Sequence, residues 1–356
     1  MSISKRDFLT GTAAAGLALY AGGETQVADA ATQRGKYQRI SCEECFSTPE
    51  IVEASSKIPV NPYSLKPIKR PYMTDLMDIG AGRIQGMDRD GVDIQLLSLS
   101  APGVQQFDAL TGVSLAKTVN DRMAAAIKAY PKRFAGLATV APQDPQAAAK
   151  EIERAVSSLG LKGAIINSHT NGEYLSDKKY WAIFESLQAL DVPLYIHPRE
   201  PVPGMVAPLD LPGYRVGWAY AVETGTHALH LIASGVFDQF PKLRIVLGHM
   251  GENIPYLLSR IDNRYLFEVE ISGVPKMKRL PSEYFLDHFV ITTSGMNYDA
   301  PLRAALSAVG ADRILFAADY PMEVQADAVQ GLEGIKISAA EKQKIFETNP
   351  KRVFKL

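Results

Sequence analysis

Short apolar, β-branched runs recur along this chain and alternate with stretches of helical spacing. Eight of them, at 38–45, 92–99, 134–140, 163–167, 192–197, 243–248, 289–293 and 313–318, read as strands. Most are continuously apolar, as expected of strands covered on both faces. Helical periodicity fills 113–130, 144–158, 176–190, 217–235, 252–266 and 300–308, with Asp144 and Asp177 placed as N-caps. Strand–helix alternation of this kind predicts an α/β chain folded as a (β/α)8 TIM barrel. An open doubly wound sheet is the second reading, but no glycine-rich phosphate fingerprint opens any helix to favour it.

Two connectors break the rhythm. Residues 50–75 and 198–214 are long and proline-rich, and each follows a strand end that carries a candidate ligand. Long loops so placed predict lids or specificity elements over an active site. The N-terminus is a targeting segment. Ser4-Lys5-Arg6-Asp7-Phe8-Leu9 is twin-arginine-like, a small-residue apolar stretch runs from Gly11 to Gly23, and Ala28-Asp29-Ala30 forms a cleavage site. A cleavable signal peptide over 1–30, export to the periplasm and a single barrel domain over 31–356 are the expectations.

The 356 residues are 46% hydrophobic and 22% charged, with a net charge of −1, which is ordinary globular composition. The basic residues form no cluster of the kind that binds nucleic acid. No apolar run after the signal is long enough to span a bilayer. The two cysteines, Cys42 and Cys45, have the spacing of a redox pair. In a regular strand they would face opposite ways about 10 Å apart, beyond disulfide reach.

Candidate chemistry lies at the strand ends. Glu43 in RISCEECF, His197 in VPLYIHP, His249 in IVLGHMGE and Asp319 in ILFAADYP each close an apolar run. In a parallel barrel such ends converge on one face. Two imidazoles and two carboxylates suit Zn, Mn or Fe, with positions left open for water or substrate. Glu43 and Glu44 are adjacent, so a regular strand turns only one inward. Glu43 is expected to be that one, on the same face as Cys45. His249 could be a ligand or an acid/base group beside the ion. His169, just after the fourth strand, could line the pocket, whereas His227, His230 and His288 read as structural.

Several motifs carry a family resemblance: EECFSTPE (43–50), GRIQGMDRDGVDIQLLSLSAPGVQ (82–105), VAPQDP (140–145), INSHTNGEYLSD (166–177), PLYIHP (193–198), VETGTHALHLIASGVFDQFP (222–241), LGHMGENIPYLLSR (247–260), TTSG (292–295) and AADYP (317–321). From about residue 38 onward the chain resembles the amidohydrolase superfamily. The likeness is to the branch of aromatic-acid decarboxylases that includes the γ-resorcylate and 5-carboxyvanillate enzymes. The resemblance implies one divalent metal ion, Mn or Zn, held by Glu43, His197 and Asp319. It also implies catalytic roles for Asp319, His249 and Glu252, and a substrate contact from Arg260.

Phe46, Tyr320 and His169 would then help to enclose a small aromatic carboxylic acid. Many relatives have histidine where Cys45 stands, which makes Cys45 either a pocket wall or a soft ligand. An arginine that relatives supply from the first long loop has Lys69 or Arg70 as its substitute. The implied reaction is non-oxidative decarboxylation, and the implied assembly is a homodimer or homotetramer. Hydrolysis of a lactone or amide through a metal-bound water is the alternative on the same scaffold, and a non-catalytic binding protein is the third reading.

Overall fold

The computed structural model describes residues 36–58 and 72–356. The expected signal segment, Lys69 and Arg70 lie outside the described residues. The strands are β1 (Ile40–Phe46), β2 (Ile94–Leu99), β3 (Phe134–Gly136), β4 (Ala138–Thr139), β5 (Ala164–Asn167), β6 (Leu194–His197), β7 (Ile245–Leu247), β8 (Phe289–Thr292) and β9 (Ile314–Leu315). Every pairing among them is parallel. β3 and β4 are two halves of one run: β3 pairs with β2, and β4 pairs with β5. The ring closes where Cys42 N donates to Phe316 O at 3.0 Å and Cys45 N to Tyr320 O at 2.8 Å. The eight expected strands are therefore present as an α/β ring of parallel strands.

The crossovers are helical: α1 (Ala81–Asp90), α2 (Ala109–Ala129), α3 (Pro145–Ser157), α4 (Trp181–Leu190), α5 (Ala221–Ala233), α6 (Leu258–Ser272), α7 (Pro281–His288), α8 (Asp299–Val309) and α9 (Gln325–Gly334). Asp144 caps α3 by accepting from Ala147 N at 2.9 Å, satisfying an otherwise orphaned amide. Asp177 caps a 3₁₀ turn that leads into α4.

One departure concerns the helix expected over 252–266. Residues His249 to Asn253 all have positive φ, Ile254–Tyr256 is a 3₁₀ turn, and α6 starts only at Leu258. Pro255 lacks an amide proton to donate, and Gly251 relieves one of the left-handed positions.

The barrel interior is layered. Ile40, Cys42, Leu96, Ala135, Leu137, Ile165, Tyr195, Val246, Val290 and Leu315 form one buried layer, with Val353 and Phe354 of the C-terminal helix packed against it. Period two then places Asn167, His197 and Thr292 on the same inward face as Ile165, Tyr195 and Val290, one layer nearer the strand ends.

β1 breaks that period. Its register against β2 shifts between Ser41 and Glu44, so one extra residue is accommodated in a bulge. The bulge corrects two expectations. Cys42 belongs to the core layer while Cys45 reaches the site above it, and both are free thiols. Glu43 and Glu44 are both buried, at 1% and 0% exposure, so neither is a surface glutamate.

Candidate metal centre

Glu43 is held by one of its two oxygens. Tyr195 OH and Thr292 Oγ1 both donate to Oε2, the latter at 3.0 Å. The other oxygen, Oε1, is buried, has no hydrogen-bond partner among the described residues and lies 3.4 Å from His197 Nε2. A buried carboxylate oxygen without a donor is costly unless something positive meets it. Burial pushes the Glu43 carboxyl up, but His249, His197 and the Tyr195 hydroxyl together pull it below its ordinary value.

His197 is oriented by its own neighbour. Its Nδ1–H donates to Pro198 O at 2.8 Å, which leaves the Nε2 lone pair facing Glu43. Fixing one ring nitrogen on a carbonyl in this way is how proteins prepare the other to ligate a metal. His249 is oriented similarly. Its Nδ1–H donates to Glu252 Oε1 at 2.8 Å, and its Nε2 stands 3.6 Å from Asp319 Oδ2. Burial alone would depress this imidazole, yet Glu252, Glu43 and Asp319 hold it well above its usual value.

The run of left-handed residues at 249–253 is what turns His249 inward. Such backbone is strained and persists only where surrounding contacts impose it. α5 is one of those contacts: a Cβ on Gly225 would sit 2.8 Å from Glu252 O.

Asp319 completes the constellation from a loop after β9, with φ of 65°. Burial raises its carboxyl above the usual aspartate range, and Glu43 adds to the effect. The ligand atoms of Glu43, His249 and Asp319 lie within 4.8 Å of one another, as do those of Cys45, His197 and Asp319. Asp319 belongs to both groups. An unpartnered carboxylate oxygen, a committed imidazole and a shared aspartate are a donor set that fits one divalent cation. The Cys45 thiol is pushed up by burial, then by Asp319 and Glu43, which favours a neutral S–H.

The remaining sequence candidates are placed differently. His169 is buried. Its Nε2–H donates to Glu200 O at 3.0 Å and its Nδ1 accepts from Gly172 N at 3.2 Å, so both nitrogens are spoken for. Burial, and then Arg199, lowers its pKa to about 4. Arg260 is exposed on the first turn of α6, and among the described residues it makes no hydrogen bond or ion pair. Phe46 is wholly buried. Tyr320 is half-buried beneath the Arg83 guanidinium, 4.9 Å from its ring centre.

Sequence reasoning missed Tyr195 and Thr292, the hydroxyls that hold Glu43. Period two on β6 and β8 was the signal that both face inward. It also missed Arg83, whose Nη2 donates to Cys45 O at 2.7 Å and to Asp75 O at 3.1 Å.

A separate buried cluster lies off the centre. Ser168 Oγ bonds Glu223 Oε1 at 2.9 Å and His227 Nδ1 at 3.1 Å, and Leu175 N donates to His227 Nε2 at 3.0 Å. Thr224 Oγ1 donates to Glu223 Oε2 at 3.2 Å, and Tyr174 stacks on the imidazole at 4.7 Å.

Residues 69–356 match the family described as Amidohydrolase. The chain belongs to the amidohydrolase family. Among curated members, γ-resorcylate decarboxylase of Polaromonas sp. strain JS666 is 38% identical over 330 residues, covering 89% of this chain and 98% of that protein. Among solved members, 5-carboxyvanillate decarboxylase from Sphingomonas paucimobilis superposes with a TM-score of 0.86 at 41% identity, covering 90% of this chain and 100% of that one. The 5-carboxyvanillate decarboxylase of Novosphingobium aromaticivorans DSM 12444 was solved with manganese and 4-hydroxy-3-methoxy-5-nitrobenzoic acid. It gives a TM-score of 0.86 at 37% identity, covering 90% and 97% of the two chains.

Proposed function

We propose that this amidohydrolase is a carboxy-lyase that removes the carboxyl group of an ortho-hydroxybenzoate-type acid, releasing CO2 and a phenol. The observation that carries the reading is Asp319. It is a carboxyl shared by both ligand groups and faces His249 Nε2 at 3.6 Å, and the chain matches decarboxylases along nearly their whole length. Glu43, His197 and Asp319 would hold one divalent cation, Mn or Zn. That cation would supply chelation of the phenolate and carboxylate and a lowered phenol pKa.

The polypeptide's own part is proton handling and orientation. Asp319 takes a proton from the incoming phenol or carboxylic acid and delivers it to the ring carbon bearing the carboxylate. The C–H bond forms there, the C–C bond to the carboxylate then breaks, and its electron pair restores the aromatic ring as CO2 leaves. His249 Nε2 faces Asp319, and Glu252 keeps the histidine in one orientation. Arg260, exposed and without a partner among the described residues, would offer a bidentate contact to a substrate oxygen or carboxylate. In this reading Phe46, Tyr320 and His169 would border the ring.

The test is incubation of residues 31–356 with Mn or Zn and a panel of ortho-hydroxybenzoates in D2O. Ring deuteration with CO2 release is expected. No turnover on the panel, with ¹⁸O from water entering a lactone or amide product, would replace this reading with hydrolysis.

Two further expectations belong to it. Residues 1–30 act as an export signal, so the periplasmic protein begins at Ala31, which N-terminal sequencing checks. The protein forms a homodimer or homotetramer. α6 buries only Leu258 and leaves Leu266, Phe267 and Ile271 exposed, a face that a second copy could cover, and light scattering reads the mass. Among the described residues no helix is long and apolar enough to cross a membrane.

A further inference from the structure

We propose that Glu44 is a positioning residue for Asp319, gripping the backbone on both sides of it. The inference rests on the decarboxylase reading only where its test measures a rate. β9 ends at Leu315, so the chain that carries Asp319 has left the regular ladder. Its amides still need acceptors, because buried N–H groups are almost always paired. The Glu44 carboxylate provides them. Ala318 N donates to Oε1 at 3.1 Å and Tyr320 N to Oε2 at 3.1 Å. One planar side chain thus stands where the carbonyls of a neighbouring strand would otherwise be.

The grip is reinforced on every side. Ser41 Oγ donates to Glu44 Oε1 and also accepts from Ala318 N at 3.0 Å. Cys45 N donates to Tyr320 O at 2.8 Å. Between these anchors Asp319 holds a left-handed φ of 65°, a conformation that a non-glycine residue keeps only when its surroundings enforce it. The β1 bulge is what makes the arrangement accessible. It turns Glu43 to the metal centre and frees Glu44 to reach sideways to the last strand.

The two oxygens of Glu44 serve different amides, so Glu44→Gln replaces one acceptor with an NH2 that opposes an N–H. A misplacement on the ångström scale at a reacting group costs roughly 10²-fold. We expect kcat of the manganese-loaded variant to fall by about that factor, with KM within about threefold. Manganese affinity, read by calorimetry, should weaken about tenfold as Asp319 loses its setting. Val353→Ala, in the C-terminal helix packed on the buried layer beneath the site, is the control for lost stability.

A folded Glu44→Gln enzyme with kcat and manganese affinity near wild type overturns the proposal. So does an equal loss of kcat in Val353→Ala at a matched drop in Tm. Should wild type itself fail to decarboxylate, the function is wrong and manganese affinity alone decides the role of Glu44. Should Glu44→Gln not fold, Ser41→Ala keeps both carboxylate–amide bonds but loses their brace. It is expected to lower kcat a few-fold without moving KM, and an unchanged kcat there sinks the idea.

Discussion

Among the described residues, two buried groupings of histidine with carboxylate differ in what is left over. Around Ser168, His227 and Glu223, each ring nitrogen and each carboxylate oxygen has a partner. Around Glu43, His197, His249 and Asp319, the partners stop short. Glu43 Oε1 has none, and two imidazole nitrogens face carboxylates at 3.4 and 3.6 Å without bonding them. Residue types and burial are alike in both, so neither identifies a site. Uncommitted lone pairs that converge on one point do.

The largest effect that sharpens this contrast is Asp319→Asn. The amide keeps the shape and loses the proton, so kcat should fall by about 10³-fold or more, while binding of the ortho-hydroxybenzoate that the wild type turns over changes far less. Single-turnover rates and calorimetry measure the two; a rate near wild type removes Asp319 from proton transfer.

The closed cluster should answer in the opposite currency. His227→Phe strands Leu175 N and leaves Ser168 Oγ with Glu223 alone, and a buried amide without its partner costs about 1–3 kcal/mol. Urea midpoints should drop clearly, with kcat of the remaining folded enzyme within about twofold of wild type. A collapse of kcat at unchanged stability would erase the distinction between the two groupings.

A pH series separates them further. Burial pushes the Glu223 carboxyl up to about 8 despite the Ser168 and Thr224 hydroxyls. Its folded value lies above its unfolded one, so its contribution to stability is complete below the unfolded pKa and is lost as pH rises through about 8. Glu223→Gln abolishes that loss. The stability difference between variant and wild type should therefore shift toward the variant from pH 5 to pH 8, by at most about 1.4 kcal/mol per pH unit. Denaturation at matched pH reads it, and a flat difference contradicts a buried neutral carboxyl.

The smallest effect belongs to Cys45→Ala. Burial, Asp319, Glu43 and Glu44 all push the thiol up, so manganese content and kcat should stay within about threefold. Metal analysis after dialysis decides, and loss of the ion would make Cys45 a ligand.

Much of this was legible in the chain. Apolar runs, most of them continuous, located the strands, because strands covered on both faces have little polar alternation to confuse them. Glu43, His197 and Asp319 were visible because charged or basic groups that end such runs have few stable alternatives to a site. The β1 bulge was not visible, since a register shift is a property of two strands and one run of letters carries no partner. For the same reason Glu44 read as a surplus glutamate. The late start of α6 had a signal in Gly251 and Pro255, but the apolar spacing that follows them extends smoothly across both. Tyr195 and Thr292 were hidden by being ordinary strand formers.

The closure between β1 and the loop after β9 also sets when the centre can exist. Glu44 and Ala318 are 274 residues apart, yet they bond each other across the seam. A nascent chain emerging from the ribosome displays Glu43 and Glu44 early and has no Asp319 to meet them until synthesis is nearly over. The two ends must find each other first. Metal capture is then a late event in the life of each molecule, and a chain truncated before β9 lacks the aspartate of both ligand groups.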